Sequence, residues 1–345
     1  MKAQVLERVA ELEENPEPLR LVDLPIPKPA SKEILVKIMA CGVCHTELDE
    51  IEGRTPPSRL PIILGHEIVG RVEELGSEVT EFKIGDRVGI AWIYSSCGKC
   101  RFCLEGNENL CEKFQATGRD ANGGYAQYMV VSEKFAYPIP ENFSDLEAAP
   151  LLCAGVIGYR ALRLTGIKDG KILGLFGFGA SAHIVIQLVK HKYPNTKVFV
   201  FTRPGQKEHQ NLAKELKADW VGATGDMPPE KLDCAIDFTP VWNPIVEGLR
   251  VLQRGGRLVI NAIRKEEKDK DSLLKLDYAE HIWQEKEIKS VANVTRRDAQ
   301  EFLPLAAEIG IKPRIQEFEL KDANKALNLL KQGRIQGAGV LRMPD

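Results

Sequence analysis

Residues 97–111 read CGKCRFCLEGNENLC and space Cys97, Cys100, Cys103 and Cys111 as C-x2-C-x2-C-x7-C. Two-residue gaps let neighbouring thiolates turn inward on one ion, and the longer gap returns the chain with a fourth. Four thiolates close a tetrahedral zinc shell with no open position, so the chemistry expected of this lobe is structural. Bacterial iron–sulfur motifs also use two-residue gaps, but the partner cysteines of ferredoxin-like clusters are missing. Four unliganded thiols in one polar loop would be reactive. A second set is scattered: Cys44 in CGVCHTE, His66 in LGHE and Cys153 in PLLCAG. Two thiolates and one imidazole leave a fourth zinc vertex for water or substrate, which is the arrangement of catalytic zinc. Taken singly, each residue has a plainer reading. An isolated cysteine is most often a small buried hydrophobe, and Cys234 in DCAIDF is read that way. Cys41 and Cys44 also form a C-x-x-C pair, but no thioredoxin-like strand–helix–strand pattern surrounds them. His183, His191, His209 and His281 read as surface or packing residues.

The elements that must position these groups change character along the chain. Residues 1–150 carry short β-type runs (Ile34–Met39, Ile68–Glu73, Arg87–Trp92) punctuated by turn signals at Pro25–Pro29, Gly53–Pro57 and Gly85–Asp86. That pattern predicts an all-β, barrel-like domain with inserted loops. From about residue 155, apolar runs alternate with helical patterns: Lys171–Phe176 then Ser181–Lys190, Lys197–Phe201 then Gln206–Lys217, Leu232–Phe238 then Pro244–Leu252, and Arg257–Ile260. Such alternation predicts a parallel sheet with right-handed crossovers. Helices Arg297–Ile309 and Lys321–Gln332 follow, with two short strands.

Composition bounds the function. The 345 residues suffice for two domains with sizeable cores, and a hydrophobic fraction of 43% suits a globular chain. Lys and Arg number 47 against 49 Asp and Glu and are spread along the sequence, so no nucleic-acid footprint stands out. The N-terminal MKAQVLERVAELEENPE is charged from its first residues, and no run approaches the roughly 18 apolar residues of a membrane span. These features predict a cytoplasmic protein. In a reducing compartment, clustered cysteines favour metal over disulfide, and six of the eight fall between positions 41 and 111.

A cofactor site is also legible. The run ILGLFGFGASAHIVIQL holds Gly177-x-Gly179-x-x-Ala182 between a strand-like and a helical segment. Gly177 permits the tight turn, Gly179 lets the backbone approach a pyrophosphate, and Ala182 allows close helix–strand packing. The helix N-terminus then offers free N–H groups to the anion. A reader of the ribose 2′-hydroxyl would end the next strand with an acid. That strand ends in Thr202-Arg203-Pro204, with no carboxylate until Glu208. An arginine beside a hydroxyl suits a 2′-phosphate, so NADP(H) is expected, with NAD(H) the alternative if Arg203 is a solvated turn residue.

Together GVCHTE (42–47), GHE (65–67), the four-cysteine lobe, GGYAQY (123–128), PLLCAGV (150–156) and the glycine-rich turn resemble the zinc-containing medium-chain alcohol dehydrogenases over essentially the whole chain. The two-cysteine, one-histidine shell is itself the one cited for alcohol dehydrogenase in general accounts of zinc. The resemblance implies an N-terminal GroES-like β-barrel catalytic domain over 1–153 and 296–345, with a structural zinc lobe at 95–112. It implies a doubly wound Rossmann cofactor domain over 154–295. It implies two zinc ions per chain: Cys44, His66 and Cys153 hold the catalytic one, and Cys97, Cys100, Cys103 and Cys111 the structural one. Cys44 takes the ligand role rather than Cys41. Glu67 matches a carboxylate beside the zinc, and Glu47 stands where the family usually has the aspartate that partners the zinc histidine. Thr46 matches the hydroxyl that contacts the substrate oxygen and begins a proton relay, and Asp49 falls where that relay commonly ends in histidine. His45 matches a basic pyrophosphate contact, while the family's second such contact falls on Ala338, with Arg334 close in sequence. Ile51, Trp92 and Val294 correspond to apolar pocket residues, which favours aliphatic or aromatic alcohols and aldehydes over polyols. The implied reaction is reversible hydride transfer between a primary or secondary alcohol and NADP(H), in a homo-oligomer, dimer or tetramer. Polyols, formaldehyde adducts or cinnamyl-type alcohols with NAD(H), and a non-catalytic zinc- and nucleotide-binding scaffold, are the competing readings.

Overall fold

The computed structural model describes residues 1–344. The chain divides into two compact units, Met1–Val156 with Asn293–Asp345, and Ile157–Ala292. The first is built on the strand Glu33–Val43, whose side chains are buried along nearly its whole length. A strand buried on both faces belongs at the middle of a sheet. It pairs antiparallel with Ile68–Leu75, Tyr128–Ser132 and Ala338–Arg342. Register shifts at Leu35/Val36 and Ile38/Ala40 interrupt its ladder with Ile68–Leu75, and such bulges bend a strand. The sheet runs Ala136–Pro138, Arg87–Ile90, Ile68–Leu75, Glu33–Val43, Ala338–Arg342, Ile315–Glu319. A smaller sheet joins Leu19–Asp23, Lys2–Leu6 and Ile62–Ile63.

The second unit is one parallel sheet of six strands. Its spatial order is Trp220–Ala223, Lys197–Thr202, Ile172–Phe176, Leu232–Asp237, Leu252–Ile260, Glu287–Ser290. In chain order this is 3-2-1-4-5-6, the doubly wound Rossmann arrangement. Its inner strands are apolar runs because helices cover a parallel sheet: KVFVFT and LDCAID are buried almost throughout. Phe176 stacks on Phe201 at 4.2 Å between ring centroids. Cys234 sits in this core, and burial pushes its thiol up to about 12. It is a packing residue. His183 is buried too, with Nδ1 3.1 Å from the Gly179 carbonyl. Two outer strands escaped the sequence reading, Trp220–Ala223 and Glu287–Ser290. Among the described residues no helix is long and apolar enough to cross a membrane.

Candidate active site

The end of the central strand builds the first half of the site. Cys44 follows Val43 and caps the helix His45–Ile51. Its backbone N–H donates to Glu47 Oε2 at 2.7 Å, so Glu47 closes a capping box three residues on. The other oxygen, Glu47 Oε1, lies 2.6 Å from His66 Nδ1. That separation is a charge-assisted contact, although the two groups do not meet with the direction of an ideal hydrogen bond. The additional methylene of glutamate over aspartate lets one carboxylate serve both the helix and the imidazole.

His66 and Glu67 lie on the turn that follows Gly65, whose φ of +96° only glycine adopts without strain. Gly42 makes room for Glu67: a Cβ on Gly42 would stand 1.8 Å from Glu67 Oε2. The Gly42 N–H also donates to the Glu67 carbonyl at 2.9 Å. Cys153 ends the short turn Ala149–Leu152 and brings its sulfur 3.9 Å from Cys44 Sγ. The ligand atoms of Cys44, His66, Glu67 and Cys153 all lie within 4.8 Å of one another. Thr46 Oγ1 is 3.7 Å from Cys44 Sγ.

This set fits a zinc ion. His66 Nε2 is buried without a hydrogen-bond partner, a cost that a metal–nitrogen bond removes. The donors, two sulfurs and an imidazole with a carboxylate nearby, are those zinc prefers. Electrostatics point the same way. The Cys153 thiol beside it, with His66, holds Cys44 well below the ordinary thiol range, while Cys44 and burial hold Cys153 well above it. The two sulfurs thus compete for one proton, which a metal displaces. Burial opposes a charge on His66, but Glu47 and Cys44 outweigh it and raise its pKa. Burial and the adjacent Cys44 raise the Glu67 carboxyl.

The second cysteine set gathers as closely. Cys97, Cys100, Cys103 and Cys111 place their sulfurs within 4.8 Å of one another. Cys97 Sγ accepts the Cys100 N–H at 3.4 Å, and Cys111 Sγ accepts those of Cys97 and Lys113 at 3.4 and 3.3 Å. The backbone N–H groups of Lys99 and Cys100 lower the Cys97 thiol to about 6. The buried Glu108 of this lobe accepts the Arg296 backbone N–H and Nε, each at 3.0 Å.

The remaining expected residues are placed as follows. Asp49 is 5% exposed, and its Oδ1 lies 2.7 Å from Arg54 Nε; Arg54 also reaches Glu52. Ile51 and Val294 are buried, and Trp92 is half-buried with its ring centroid 6.3 Å from that of His66. His45 is exposed at the start of its helix. In the second unit, Gly177 has φ +83° just past Ile172–Phe176, and Ala182 is fully buried in the following helix. A Cβ on Gly179 would meet nothing within 4 Å, so the protein itself does not require glycine there. That open side leaves room for the close approach that a pyrophosphate would need. Thr202 ends the neighbouring strand with its hydroxyl accepting from Gln210 Nε2 at 3.0 Å, and Arg203 is exposed beside it. The strands carrying these residues adjoin the point where strand order reverses, the ligand-binding position of such sheets. Sequence reading missed Glu50. It is fully buried, yet both carboxylate oxygens are without a hydrogen-bond partner.

Known proteins give independent support. Residues 30–141 match the alcohol dehydrogenase GroES-like domain. The chain is 44% identical over 329 residues to a Mycobacterium tuberculosis (strain CDC 1551 / Oshkosh) protein named "Probable alcohol dehydrogenase AdhA", covering 94% of this chain and 92% of that one. A solved NAD-dependent alcohol dehydrogenase superposes with a TM-score of 0.88 at 26% identity, covering 100% of both chains. The cobalt- and zinc-bound thermostable alcohol dehydrogenase of Pyrobaculum aerophilum gives 0.85 at 26% identity, covering 99% of each. With near-complete coverage at this identity, the chain belongs to the zinc-containing medium-chain alcohol dehydrogenase family.

Proposed function

We propose that this protein is a zinc-dependent alcohol dehydrogenase that reversibly transfers hydride between a primary or secondary alcohol and NADP(H). The observation that carries the reading is the convergence of Cys44, His66 and Cys153, with the Thr46 hydroxyl 3.7 Å from the Cys44 sulfur. Zinc held there would supply Lewis acidity to a substrate oxygen. The chain's own residues do the rest. The Glu47 carboxylate 2.6 Å from Nδ1 favours a proton on that nitrogen, which would leave Nε2 of His66 as the ligand nitrogen. Glu67 brings a carboxylate oxygen within 4.8 Å of the other three ligand atoms and would be a further ligand to the ion at rest. Thr46 accepts the substrate's hydroxyl proton and passes it outward. Asp49, one turn along the same helix and fixed by Arg54, is the proposed end of that path. An unchanged pH–rate profile in Asp49→Asn would remove it. Cys97, Cys100, Cys103 and Cys111 hold the second, structural zinc.

For the cofactor, Gly177, Gly179 and Ala182 form the pyrophosphate turn, and the family resemblance gives His45 the role of a pyrophosphate contact. Thr202 and Arg203 favour the 2′-phosphate of NADP, since no carboxylate ends their strand. The solved relative named as NAD-dependent sets the competing expectation. None of the eight cysteines is in a disulfide, as a reducing cytoplasm would require.

The deciding assay follows nicotinamide absorbance with NADPH and a panel of aldehydes and ketones, with and without a zinc chelator. Chelator-sensitive oxidation of NADPH is expected, and silence across the panel would overturn the reading. A kcat/KM favouring NAD over NADP would reverse the cofactor assignment. Arg203→Ala is expected to weaken NADP by about 10- to 100-fold, the loss of a charge-assisted phosphate contact of 1.4–2.7 kcal/mol, with NAD little changed.

A further inference from the structure

The carboxyl end of the strand Leu232–Asp237 holds a buried ion pair that the proposed reaction does not use. Asp237 is fully buried, and the Lys265 side chain, 7% exposed, meets its Oδ2. Taking a carboxylate and an ammonium out of water is expensive, and such a pair adds little stability by itself, so its presence asks for another account. An ammonium has three protons to donate. Those of Lys265 are all taken up inside the protein: by Asp237 Oδ2, by the Thr239 carbonyl at 2.7 Å and by the Val241 carbonyl at 3.0 Å. No donor is left over for a ligand, and what Lys265 acts on is the loop that follows the strand.

That loop is held along its whole length. Asp237 Oδ1 accepts the Thr239 N–H at 3.0 Å and the Thr239 hydroxyl at 2.7 Å. With its carbonyl on Lys265, Thr239 is tied at three points. The Pro240 carbonyl accepts the Glu266 N–H at 2.7 Å, and Asp269 Oδ2 accepts the N–H groups of Trp242 and Asn243, each at 2.9 Å. Residues 265–269 thus form a clasp on residues 239–243. What the clasp fixes lies against the glycine-rich turn. Asp237 is in register with Phe176, the residue before Gly177, and the Phe238 N–H donates to the Phe176 carbonyl at 2.9 Å. A Cβ on Gly177 would stand 2.9 Å from Thr239 Cγ2, so the threonine methyl packs directly on the turn. The two strands flank the point where strand order reverses, where such sheets bind their ligands.

We infer that Lys265 is a positioning residue for the dinucleotide: through Asp237 and the carbonyls of Thr239 and Val241 it holds the loop against the Gly177 turn, and so keeps the pyrophosphate site in its binding shape. This rests on the proposed cofactor site and adds to it a residue outside the glycine motif. Without the ammonium, two loop carbonyls lose their donor, and Thr239 keeps only its ties to Asp237. The loop then samples other positions. A site that is competent only part of the time binds more weakly by the reciprocal of that fraction, so a competent fraction of about 1–10% raises Kd by about 10- to 100-fold. The pyrophosphate is common to both nicotinamide nucleotides. NADPH and NADH should therefore lose affinity in equal proportion, unlike the selective loss expected from Arg203→Ala.

The test titrates the zinc-loaded full chain with NADPH and with NADH, following nicotinamide fluorescence at a temperature well below the melt. The wild type is compared with Lys265→Met and with Lys265→Met combined with Asp237→Asn, which removes the stranded carboxylate and so protects the fold. A thermal melt accompanies each titration. Both variants are expected to raise Kd by about 10- to 100-fold for each nucleotide, with the ratio between the nucleotides unchanged. The double variant should melt closer to the wild type than Lys265→Met does, without recovering affinity. In turnover, the loss should fall on KM for NADPH and leave KM for the carbonyl substrate unmoved. Affinity that recovers in step with the melt would show a role in stability alone and overturns the inference. A wild-type Kd in both variants does the same. A wild-type protein that binds neither nucleotide would instead remove the dinucleotide reading on which the inference stands.

Discussion

Glu47 offers the sharpest test of how the site is held together. It is fully buried, accepts the Cys44 N–H at 2.7 Å with one oxygen, and lies 2.6 Å from His66 Nδ1 with the other. Glu47→Ala strips both groups of their acceptor. Each buried orphan costs about 1–3 kcal/mol, so the two together cost about 2–6 kcal/mol of folding stability. Losing the acceptor that orients a ligating histidine also lowers metal affinity by about 10- to 100-fold, equivalent to about 1.4–2.7 kcal/mol. Glu47→Gln separates the two effects. The amide oxygen can still accept from Cys44 and preserve the helix cap. Its NH2 then faces His66, favouring the tautomer with hydrogen on Nε2, which cannot ligate. Glu47→Gln should therefore unfold close to the wild type but lose catalytic zinc, whereas Glu47→Ala should lose both. Zinc per chain after dialysis against a graded chelator, with a thermal melt of each variant, measures this. Expected are two zinc ions in the wild type and one in each variant, the survivor being the lobe ion. If Glu47→Gln keeps both ions with a wild-type chelator midpoint, the carboxylate does not govern His66 and the reasoning fails.

Gly42→Ala should act on Glu67 without touching a metal ligand. The new Cβ would lie 1.8 Å from Glu67 Oε2 and 2.8 Å from its Cβ, so the stem as well as the carboxylate must move. A cost of about 1–3 kcal/mol in stability is expected, together with reduced kcat/KM; a variant with unaltered melt and kinetics would show that Glu67 can be repositioned freely. In the metal-free lobe, Cys97 should titrate near 6 against an ordinary value of 9.0. Because the folded-state pKa is depressed, the thiolate's stabilisation is complete above the ordinary value and is lost as pH falls through about 6. Thiolate absorbance of the metal-free protein should show that half-point, and a titration near 9 would contradict it.

Metal ligation was legible because it uses short, countable gaps: Cys97, Cys100, Cys103 and Cys111 needed no fold to be recognised, and they converge. The parallel sheet was legible because its inner strands are apolar along their length, as in Lys197–Thr202. The strand Glu287–Ser290 was not, since all four of its residues are exposed on the sheet's edge and carry no periodic signal. The extent of Glu33–Val43 was underread because its bulges break strict alternation. At the site, the sequence shows a glutamate in place of the family's usual aspartate at position 47. It cannot show that the longer arm meets two donors at once. The pairing of Asp49 with Arg54 depends on a turn that folds back on the helix. Glu50 looked like one more acid in HTELDE; only burial reveals that it lacks partners.

The last strand of the first unit sets a timetable for making the protein. Ala338–Arg342 lies directly against Glu33–Val43, with Val340 opposite Gly42 and Gly339 opposite Val43, next to the cysteine that begins the metal set. Every candidate ligand lies before residue 154, so all of them leave the ribosome early. Their scaffold nevertheless lacks a flanking strand until residues 338–342 have been synthesised, while Ile157–Ala292 is contiguous and can fold in the interval. During that wait the thiols are chemically complete but not yet shielded by their finished sheet. Metal delivery and protection from oxidation therefore matter most before that strand joins the sheet.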